Sequence, residues 1–400
     1  MLKQNHKIRG RIIENRIVFQ PMEGCDCNDD GSPSGLTVEK YLTEAKSGAG
    51  IIWMEASAVC PEGRTNTRQM MLTEENLDSF KELVNLIHQT AAETTGVKPI
   101  LILQLTHSGR QSIKPMIAYR NPVYEERKPM SDNNIVTDEY LDTIPEMYYS
   151  AALLAEKAGF DGVDVKSCHG YLIQELLSAF SRPGHYGGNY ENRTRLYKNC
   201  MRAAKDAVGD RLLLCARIGV SDMVPYPNGF GTTPDGELDL SESDRLIGEL
   251  MDVGMEFLNV TVGNPYYNPH INRPFRRGAY TPPETPQQGL SRFEYIERHI
   301  KQLYPALPVV GSGLSYYRKD LIEQAERLIS SGVCDFVGFG RASLAYPMLW
   351  RDYLDGCFDV KKCCVACSRC TELMRANQVS GCAVFNSYYR NLYEKTFNKN

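Results

Sequence analysis

The sequence lacks any long uninterrupted apolar segment. It contains no run of about eighteen apolar residues, which a membrane-spanning helix requires. Its first residues, MLKQNHKIRGRIIENR, also lack the hydrophobic stretch of a signal peptide. We therefore expect a cytoplasmic protein that does not span a membrane.

A strong excess of one charge is missing as well. The formal net charge is −4 at pH 7, and the sequence pI is about 6.0. Proteins that bind nucleic acid or acidic membranes usually carry a broad basic surface, which this composition does not favour. We therefore expect a small-molecule partner and no nucleic acid.

Cysteine, by contrast, is abundant, with thirteen residues in 400. Disulfides are common in small secreted chains, but this chain is large and shows no export signal. Free thiols or metal ligands are therefore expected. Four of the cysteines fall within residues 363–370, so their distribution is more informative than their number.

Eight short runs rich in Val, Ile and Leu alternate with amphipathic segments along the chain. The runs are RIVFQP (16–21), GIIWMEA (50–56), PILILQLTH (99–107), FDGVDVKS (160–167), LLLCARIG (212–219), FLNVTVG (257–263), PVVGSG (308–313) and DFVGFGR (335–341). Successive apolar residues are typical of parallel strands covered on both faces. The intervening segments are helical in pattern, and most end at a glycine.

Eight strand–helix units predict an α/β fold, a closed (β/α)8 TIM barrel over residues 1–354. Residues 355–400 would then form a cysteine-rich C-terminal extension. An open doubly wound sheet is the alternative, but no GxGxxG motif follows the first strand.

In such a barrel the functional site lies where the strands end. The strand ends of this chain carry polar residues, namely Glu23, Glu55, Gln104, His107, Lys166, His169, Arg217 and Arg341. The last two βα turns, GSGL (311–314) and GFGR (338–341), are glycine-rich, and turns in these positions commonly bind phosphate. Two ordinary tight turns are the alternative, but the guanidinium of Arg341 favours a phosphate-bearing cofactor.

Gln104 and Arg217 add a prediction about the rest of that cofactor. Gln104 offers an amide donor and an acceptor, and Arg217 offers a fixed cation. Either residue alone could be a satisfied barrel-rim side chain. Together they suit a heterocycle with imide edges and an electron-rich nitrogen, as in a flavin.

Several longer segments match a known family. They are NRIVFQPM, EASAVCPEGR, QLTHSGRQS, FDGVDVKSCHGYLIQELLS, YGGNYENRTR, ARIGVSD and VVGSGL with DFVGFGR. By these segments, over roughly residues 8–350, the chain resembles the old yellow enzyme family of FMN-dependent ene-reductases. The resemblance implies an FMN-binding (β/α)8 barrel that reduces the C=C bond of an α,β-unsaturated carbonyl compound.

The resemblance also implies a role for individual residues. Those that would line the flavin or hold its ring and phosphate are Pro21, Met22, Glu23, Ala56, Gln104, Arg217, Gly313, Leu314, Gly340 and Arg341. Tyr171 matches the tyrosine that protonates the substrate carbon, and His169 matches one of two residues that hold the carbonyl oxygen. Tyr266, Tyr267 and His270 follow strand six, where related enzymes have a histidine that acts with the tyrosine.

Two positions depart from the family pattern. Lys166 stands where a histidine usually holds the carbonyl oxygen, and Glu23 stands where a threonine or cysteine usually tunes the flavin. Both changes argue against simple cyclohexenone-type substrates. Lys166 could polarise a carbonyl or pair with a carboxylate or thioester substrate. It could equally form a structural pair with Glu23 or Asp164.

The C-terminal extension carries the pattern C-x2-C-x2-C-x11-C at Cys364, Cys367, Cys370 and Cys382. Four thiolates in this spacing can bind one iron–sulfur cluster, and a structural zinc site is the competing interpretation. The pattern is similar to the [4Fe–4S] motif of the 2,4-dienoyl-CoA reductase and trimethylamine dehydrogenase branch of the family. Cys363 could replace Cys364 as a ligand.

Several partners and rival functions stay open at this stage. Electrons would come from NAD(P)H or from a redox protein, and the substrate would be an enone, enoate or enoyl thioester. The chain could form a homo-oligomer. A Schiff-base lyase with Lys166 as nucleophile is one rival function. A non-catalytic iron–sulfur electron carrier is the other.

Overall fold

The chain begins with a short antiparallel hairpin, β1 (His6–Ile8) and β2 (Arg11–Ile13), and continues into a barrel. The computed structural model describes residues 1–275, 278 and 280–397. Eight parallel strands pair in chain order, and the last pairs with the first, so the barrel is closed. They are β3 (Ile17–Phe19), β4 (Ile51–Ala58), β5 (Ile100–Thr106), β6 (Gly162–Val165), β7 (Leu213–Gly219), β8 (Phe257–Thr261), β9 (Val309–Gly311) and β10 (Phe336–Phe339). Each matches one apolar run of the sequence, so the predicted (β/α)8 barrel is confirmed.

The hairpin covers the N-terminal end of the barrel. Its two turn residues, Arg9 and Gly10, have φ values of 43° and 80°, the left-handed conformation that tight hairpin turns need. Ile8 and Ile13 join the apolar cluster that fills this end of the barrel interior. That cluster includes Trp53, Phe257 and Phe336. The packing leaves the opposite end of the barrel for a binding site.

Helices surround the barrel between the strands. The longer ones are α1 (Gly35–Ala45), α2 (Leu77–Thr94), α4 (Asp138–Ala158), α6 (Tyr190–Val208), α7 (Ser241–Val253), α9 (Pro286–Leu303) and α10 (Leu321–Ser330). The short ones are α3 (Pro122–Glu125), α5 (Leu172–Leu177), α8 (Pro269–Asn272), α11 (Arg341–Ala345), α12 (Leu349–Leu354) and α13 (Arg369–Arg375), and the chain continues into an 11-residue helix, α14 (Ser387–Phe397). Within the described part of the chain, no helix combines the length and the apolarity needed to cross a membrane.

Helix α4 begins earlier than its apolar pattern predicts. The pattern EMYYSAALLAEKAG starts at Glu146, whereas the helix starts at Asp138. The hydroxyl of Thr137 accepts a hydrogen bond from the backbone N–H of Tyr140 and caps the helix there. The helix ends as predicted, because Gly159 adopts the left-handed conformation that terminates helices.

The C-terminal extension packs across the C-terminal end of the barrel. The Ser380 N–H donates to the Gly24 carbonyl over 2.6 Å, and Arg68 donates to the carbonyl of Asn377. The Arg273 guanidinium donates to the hydroxyl of Thr371. The extension therefore contacts the loops after β3, β4 and β8, on the side where the site is expected.

Candidate active site

A large cleft lies at the C-terminal end of the barrel, with about 1170 Å³ of empty volume. The predicted site residues that line it are Pro21, Met22, Glu23, Ala56, Gln104, Lys166, His169, Tyr171, Arg217, Tyr266, Gly313, Gly340 and Arg341. They come from the ends of the barrel strands and from the loops that follow them. The cleft therefore joins the predicted cofactor residues and the predicted catalytic residues in one space.

Asp164 holds Gln104 and Arg217 in position from inside the barrel. One of its carboxylate oxygens accepts from the Gln104 amide at 2.6 Å and from the Trp53 indole at 2.9 Å. The other accepts from the Arg217 backbone N–H at 2.7 Å. The Arg217 side chain forms no ion pair among the described residues, and its Nε is buried without a partner there. Burial lowers the pKa of Arg217, so this desolvated cation suits an anionic or electron-rich ligand atom.

The two glycine-rich turns lie side by side at the other end of the cleft. Gly313 has φ of 83° and precedes a 3-10 helix over Leu314–Asp320, and Gly340 precedes α11. A Cβ at Gly340 would lie 3.1 Å from the Met22 sulfur, so glycine keeps this turn open. The Arg341 Nη1 atom is buried and has no hydrogen-bond partner in the described chain. The turns thus offer backbone N–H groups, and Arg341 offers its unpaired Nη1, to a phosphate.

The stretch KSCHGY turns sharply from β6 into α5. His169 and Gly170 have φ values of 67° and 69°, two consecutive left-handed residues. A Cβ at Gly170 would lie 2.4 Å from the Asn264 amide nitrogen, so only glycine fits there. This turn directs the side chains of His169 and Tyr171 into the cleft, while Cys168 is fully buried.

His169 is held as a neutral imidazole. Burial lowers its pKa well below the ordinary value, and the nearby cations Arg217 and Lys166 lower it further. Its Nε2 atom is buried and has no partner among the described residues. A buried, unpaired ring nitrogen that lines the cleft is available to a ligand oxygen.

Lys166 contacts the ring of Tyr171. Its ammonium nitrogen lies 3.8 Å from the ring centre, a cation–π contact. Burial lowers the pKa of Lys166, and Cys168 and Glu23 oppose that effect. Within the described chain, Lys166 forms no ion pair with Glu23 or Asp164, and the Asp164 carboxylate accepts from Gln104, Trp53 and the Arg217 backbone instead. The structural pairs considered from the sequence are therefore not formed.

Glu23 contacts the tyrosine. One oxygen of its carboxyl group lies 3.4 Å from the Tyr171 hydroxyl, and the other accepts from the Thr65 hydroxyl at 3.1 Å. Burial raises the pKa of Glu23, while Lys166 and the two hydrogen bonds lower it. Burial also raises the pKa of Tyr171 well above its usual range, and the Glu23 charge adds to this. Tyr171 is therefore protonated near neutral pH.

Of the three residues predicted after strand six, one lines the cleft and two do not. Tyr266 lines the cleft, and its hydroxyl lies 3.5 Å from that of Tyr171. Tyr267 instead packs edge-on against Tyr124, and His270 pairs with the hydroxyl of Tyr280 at 2.5 Å. Neither Tyr267 nor His270 lines the cleft as described. This loop also contains residues 276, 277 and 279, which lie outside the described part of the chain.

The remaining predicted cofactor residue, Leu314, is buried beneath its turn and does not line the cleft. Several lining residues were missed by the sequence reasoning. The barrel contributes Gln20, Thr261, Asn272, Arg273, Ser312 and Ser315, and the C-terminal extension contributes Thr371, Met374, Arg375 and Ser380. Ser312 stands in the GSGL motif and could have been found there, whereas the residues of the extension carry no local signal.

The four cysteines of the motif line a second, smaller cavity. This cavity adjoins the cleft, because Cys370 and Arg341 line both. Cys363 is buried in the main hydrophobic core and does not line the second cavity. Among the described residues, no three His, Cys, Asp or Glu side chains are arranged to hold a metal ion.

Known proteins resemble the chain in sequence and in fold. An NADH oxidase of Thermoanaerobacter brockii is 28% identical over 375 residues, which are 90% of this chain and 52% of the relative. The structure of 2-naphthoyl-CoA reductase with 2-naphthoyl-CoA aligns with a TM-score of 0.79 at 21% identity, over 98% of this chain and 58% of that one. An old yellow enzyme homologue from Zymomonas mobilis aligns with a TM-score of 0.66 at 21% identity, over 89% and 92% of the two chains.

The chain thus spans little more than half the length of the first two of these proteins. The likeness to the two solved structures concerns the barrel fold. Membership of a family follows from the family model for the NADH:flavin oxidoreductase / NADH oxidase family, which matches residues 6–355. The resemblance to the old yellow enzyme family is therefore confirmed, and the chain belongs to this family of flavin-dependent oxidoreductases.

Proposed function

We propose that the protein is an FMN-dependent ene-reductase. It would reduce the C=C bond of an α,β-unsaturated carbonyl compound, either an enone, an enoate or an enoyl thioester. The observation that carries this proposal is the shared cleft. Tyr171, His169 and Lys166 line the same space as Gln104 and Arg217.

The cleft fits FMN in its chemistry. The Gln104 amide would bond the pyrimidine edge of the flavin, and Arg217 would lie near N1. The buried, unpaired Nη1 of Arg341 and the turns at Gly313–Leu314 and Gly340 suit the phosphate. Pro21, Met22, Glu23 and Ala56 would line the ring. When bound, FMN supplies the hydride that adds to the β carbon of the substrate.

The protein's own groups would act on the carbonyl oxygen and the α carbon. The His169 Nε2–H and the Lys166 ammonium would donate to the carbonyl oxygen and stabilise the negative charge that develops there. Lys166 and the His169 Nε2 atom are buried, and a low-dielectric surrounding strengthens such donors. Tyr171 would donate its proton to the α carbon as general acid.

The cysteine cavity would hold the [4Fe–4S] cluster at Cys364, Cys367, Cys370 and Cys382. A structural zinc site is the competing interpretation, since zinc also accepts four thiolates. The cavity adjoins the cleft, which supports transfer of single electrons to FMN. The donor would be a redox protein or NAD(P)H.

Lys166 would also suit one rival function, a Schiff-base lyase. Burial lowers its pKa, and a neutral amine is what a Schiff-base lyase needs. Family membership favours the reductase instead. Borohydride reduction with a carbonyl probe separates them, because a Schiff base would attach the probe to Lys166 irreversibly.

The decisive test compares the wild type with Tyr171→Phe after anaerobic purification. We expect flavin absorbance in both proteins and similar reduction by dithionite. Reoxidation of the reduced enzyme by trans-cinnamaldehyde or cinnamate should fall about 100-fold or more in the variant, the contribution typical of a general acid. A colourless wild type, or equal reoxidation rates, would contradict the proposal.

A further inference from the structure

Tyr171 must regain a proton after each turnover if the proposed ene-reductase activity is correct. Its side chain is only 3% exposed, so bulk water reaches it poorly. The hydroxyl has two polar neighbours within hydrogen-bonding reach, the Glu23 carboxyl at 3.4 Å and the Tyr266 hydroxyl at 3.5 Å. Of these two, the carboxyl group titrates closer to neutral pH.

We propose that Glu23 is a proton relay that recharges Tyr171, with Thr65 as its connection to the surface. After Tyr171 gives its proton to the substrate carbon, the protonated Glu23 carboxyl transfers its proton to the phenolate oxygen. The Glu23 carboxylate then takes a proton from water through the Thr65 hydroxyl. Each cycle consumes one solvent proton, and the relay itself transfers no electrons.

The contacts of Glu23 form a path in the required direction. Its Oε2 faces Tyr171 in the cleft, and its Oε1 accepts from the Thr65 hydroxyl at 3.1 Å. Thr65 is partly exposed, as Glu23 is, and its hydroxyl contacts the carboxyl oxygen that does not face Tyr171. Asn66 donates to the Thr65 hydroxyl at 3.0 Å and fixes it. The 3.4 Å separation at Tyr171 is long, as is common for catalytic contacts in a ligand-free site.

The charged surroundings of Glu23 suit a group that both gives and takes a proton. Burial favours the protonated form and raises the pKa, whereas the charges of Lys166 and Lys40 favour the carboxylate. Cys25 and Tyr266 also face it, and the pKa of each is raised, so both are neutral. Cys25 has a φ of 49°, a left-handed backbone directly after the Glu23–Gly24 pair.

Glu23→Gln is the main test, because glutamine keeps the shape and an acceptor oxygen but carries no exchangeable acid proton. Rapid mixing of the reduced enzyme with trans-cinnamaldehyde gives the first turnover, and steady-state assays give the later ones. We expect the later turnovers to slow at least tenfold more than the first turnover, within the range of acid–base contributions. Thr65→Val should produce the same pattern.

Glu62→Gln is the matched control. Glu62 is an exposed carboxylate outside the cleft, and it accepts from the Tyr140 hydroxyl at 3.1 Å. Both phases should match wild type in this variant. Later turnovers of Glu23→Gln within twofold of wild type would overturn the relay. Slower later turnovers in Tyr266→Phe, with normal later turnovers in Glu23→Gln, would also overturn it.

A second readout does not depend on turnover. The infrared difference between wild type and Glu23→Gln at neutral pH should contain the carbonyl stretch of a protonated carboxylic acid. That band should shift in Tyr171→Phe, because the hydroxyl contact is lost. If the band is absent, Glu23 has no proton to give and the relay is wrong. If no unsaturated carbonyl probe is reduced, the ene-reductase proposal fails while the infrared result still decides the relay.

Discussion

At the scale of single residues, the site owes its properties to burial of polar groups. His169, Arg217 and Arg341 each hold a buried nitrogen that finds no partner among the described residues. A buried donor without an acceptor costs about 1–3 kcal/mol, which a ligand that supplies the acceptor recovers. With the Nε of Arg273, which also lines the cleft, four such atoms indicate bound ligands better than any of these residues does alone.

Lys166 provides a prediction about pH. Burial lowers its pKa, so the ammonium loses its proton as the pH rises through a value below the ordinary 10.5. Loss of that donor weakens the hold on the carbonyl oxygen. We therefore expect kcat/KM for an unsaturated carbonyl probe to fall on the alkaline side at a lower pH than a surface lysine would give. Lys166→Arg should shift this fall upward, because a guanidinium stays protonated.

Lys166→His completes the comparison, since it restores the residue usual in the family. Rates and substrate preference identical to wild type would assign Lys166 a structural role only. If kcat/KM falls at the same alkaline pH in Lys166→Arg as in wild type, the group that titrates there is not Lys166.

At the scale of elements, the β6–α5 turn decides whether the predicted catalytic side chains meet. Its two left-handed residues direct side chains that are adjacent in sequence towards the same cleft. The neighbouring loop after β8 approaches this turn so closely that Asn264 occupies the space of a Cβ at Gly170. The geometry of the site thus depends on the packing of two loops against each other.

Gly170→Ala tests that dependence. The left-handed backbone costs an alanine about 1 kcal/mol or more, and the contact with Asn264 forces a further displacement. Gly10→Ala is the matched control, because Gly10 has φ of 80° but no atom lies within 4 Å of the position that a Cβ would take there. We expect a larger fall in Tm and in activity for Gly170→Ala, and equal falls would contradict the packing argument.

At the scale of the whole molecule, the cleft is built by both ends of the chain. Met22 and Glu23 follow the first barrel strand, and Met374 and Arg375 belong to α13 of the C-terminal extension. The division at residue 354 that we propose from the sequence separates two units whose side chains line a common cleft. The extension therefore contributes to the cleft as well as to the cysteine cavity.

The cysteine cavity gives the prediction at this scale. Cys367→Ser should lower iron and acid-labile sulfide per protein chain, because Cys367 lines the cavity with the other three cysteines. Cys357→Ser should retain wild-type content, since Cys357 is exposed and lies outside the cavity. Zinc without sulfide in the wild type would assign the site to zinc, and equal iron in both variants would exclude Cys367 as a ligand.

The sequence by itself determined the barrel and predicted most of the barrel residues named as cofactor contacts that line the cleft. Strand β5 and the turn GFGR could be predicted because apolar runs, glycines and polar strand ends are local features, and the closed barrel brings all strand ends to one face. Tertiary structure alone decided the long-range contacts. Glu23 meets Tyr171 across 148 positions, and Arg273 meets Thr371 across 98. Such contacts depend on how loops pack over the barrel, which no local pattern records.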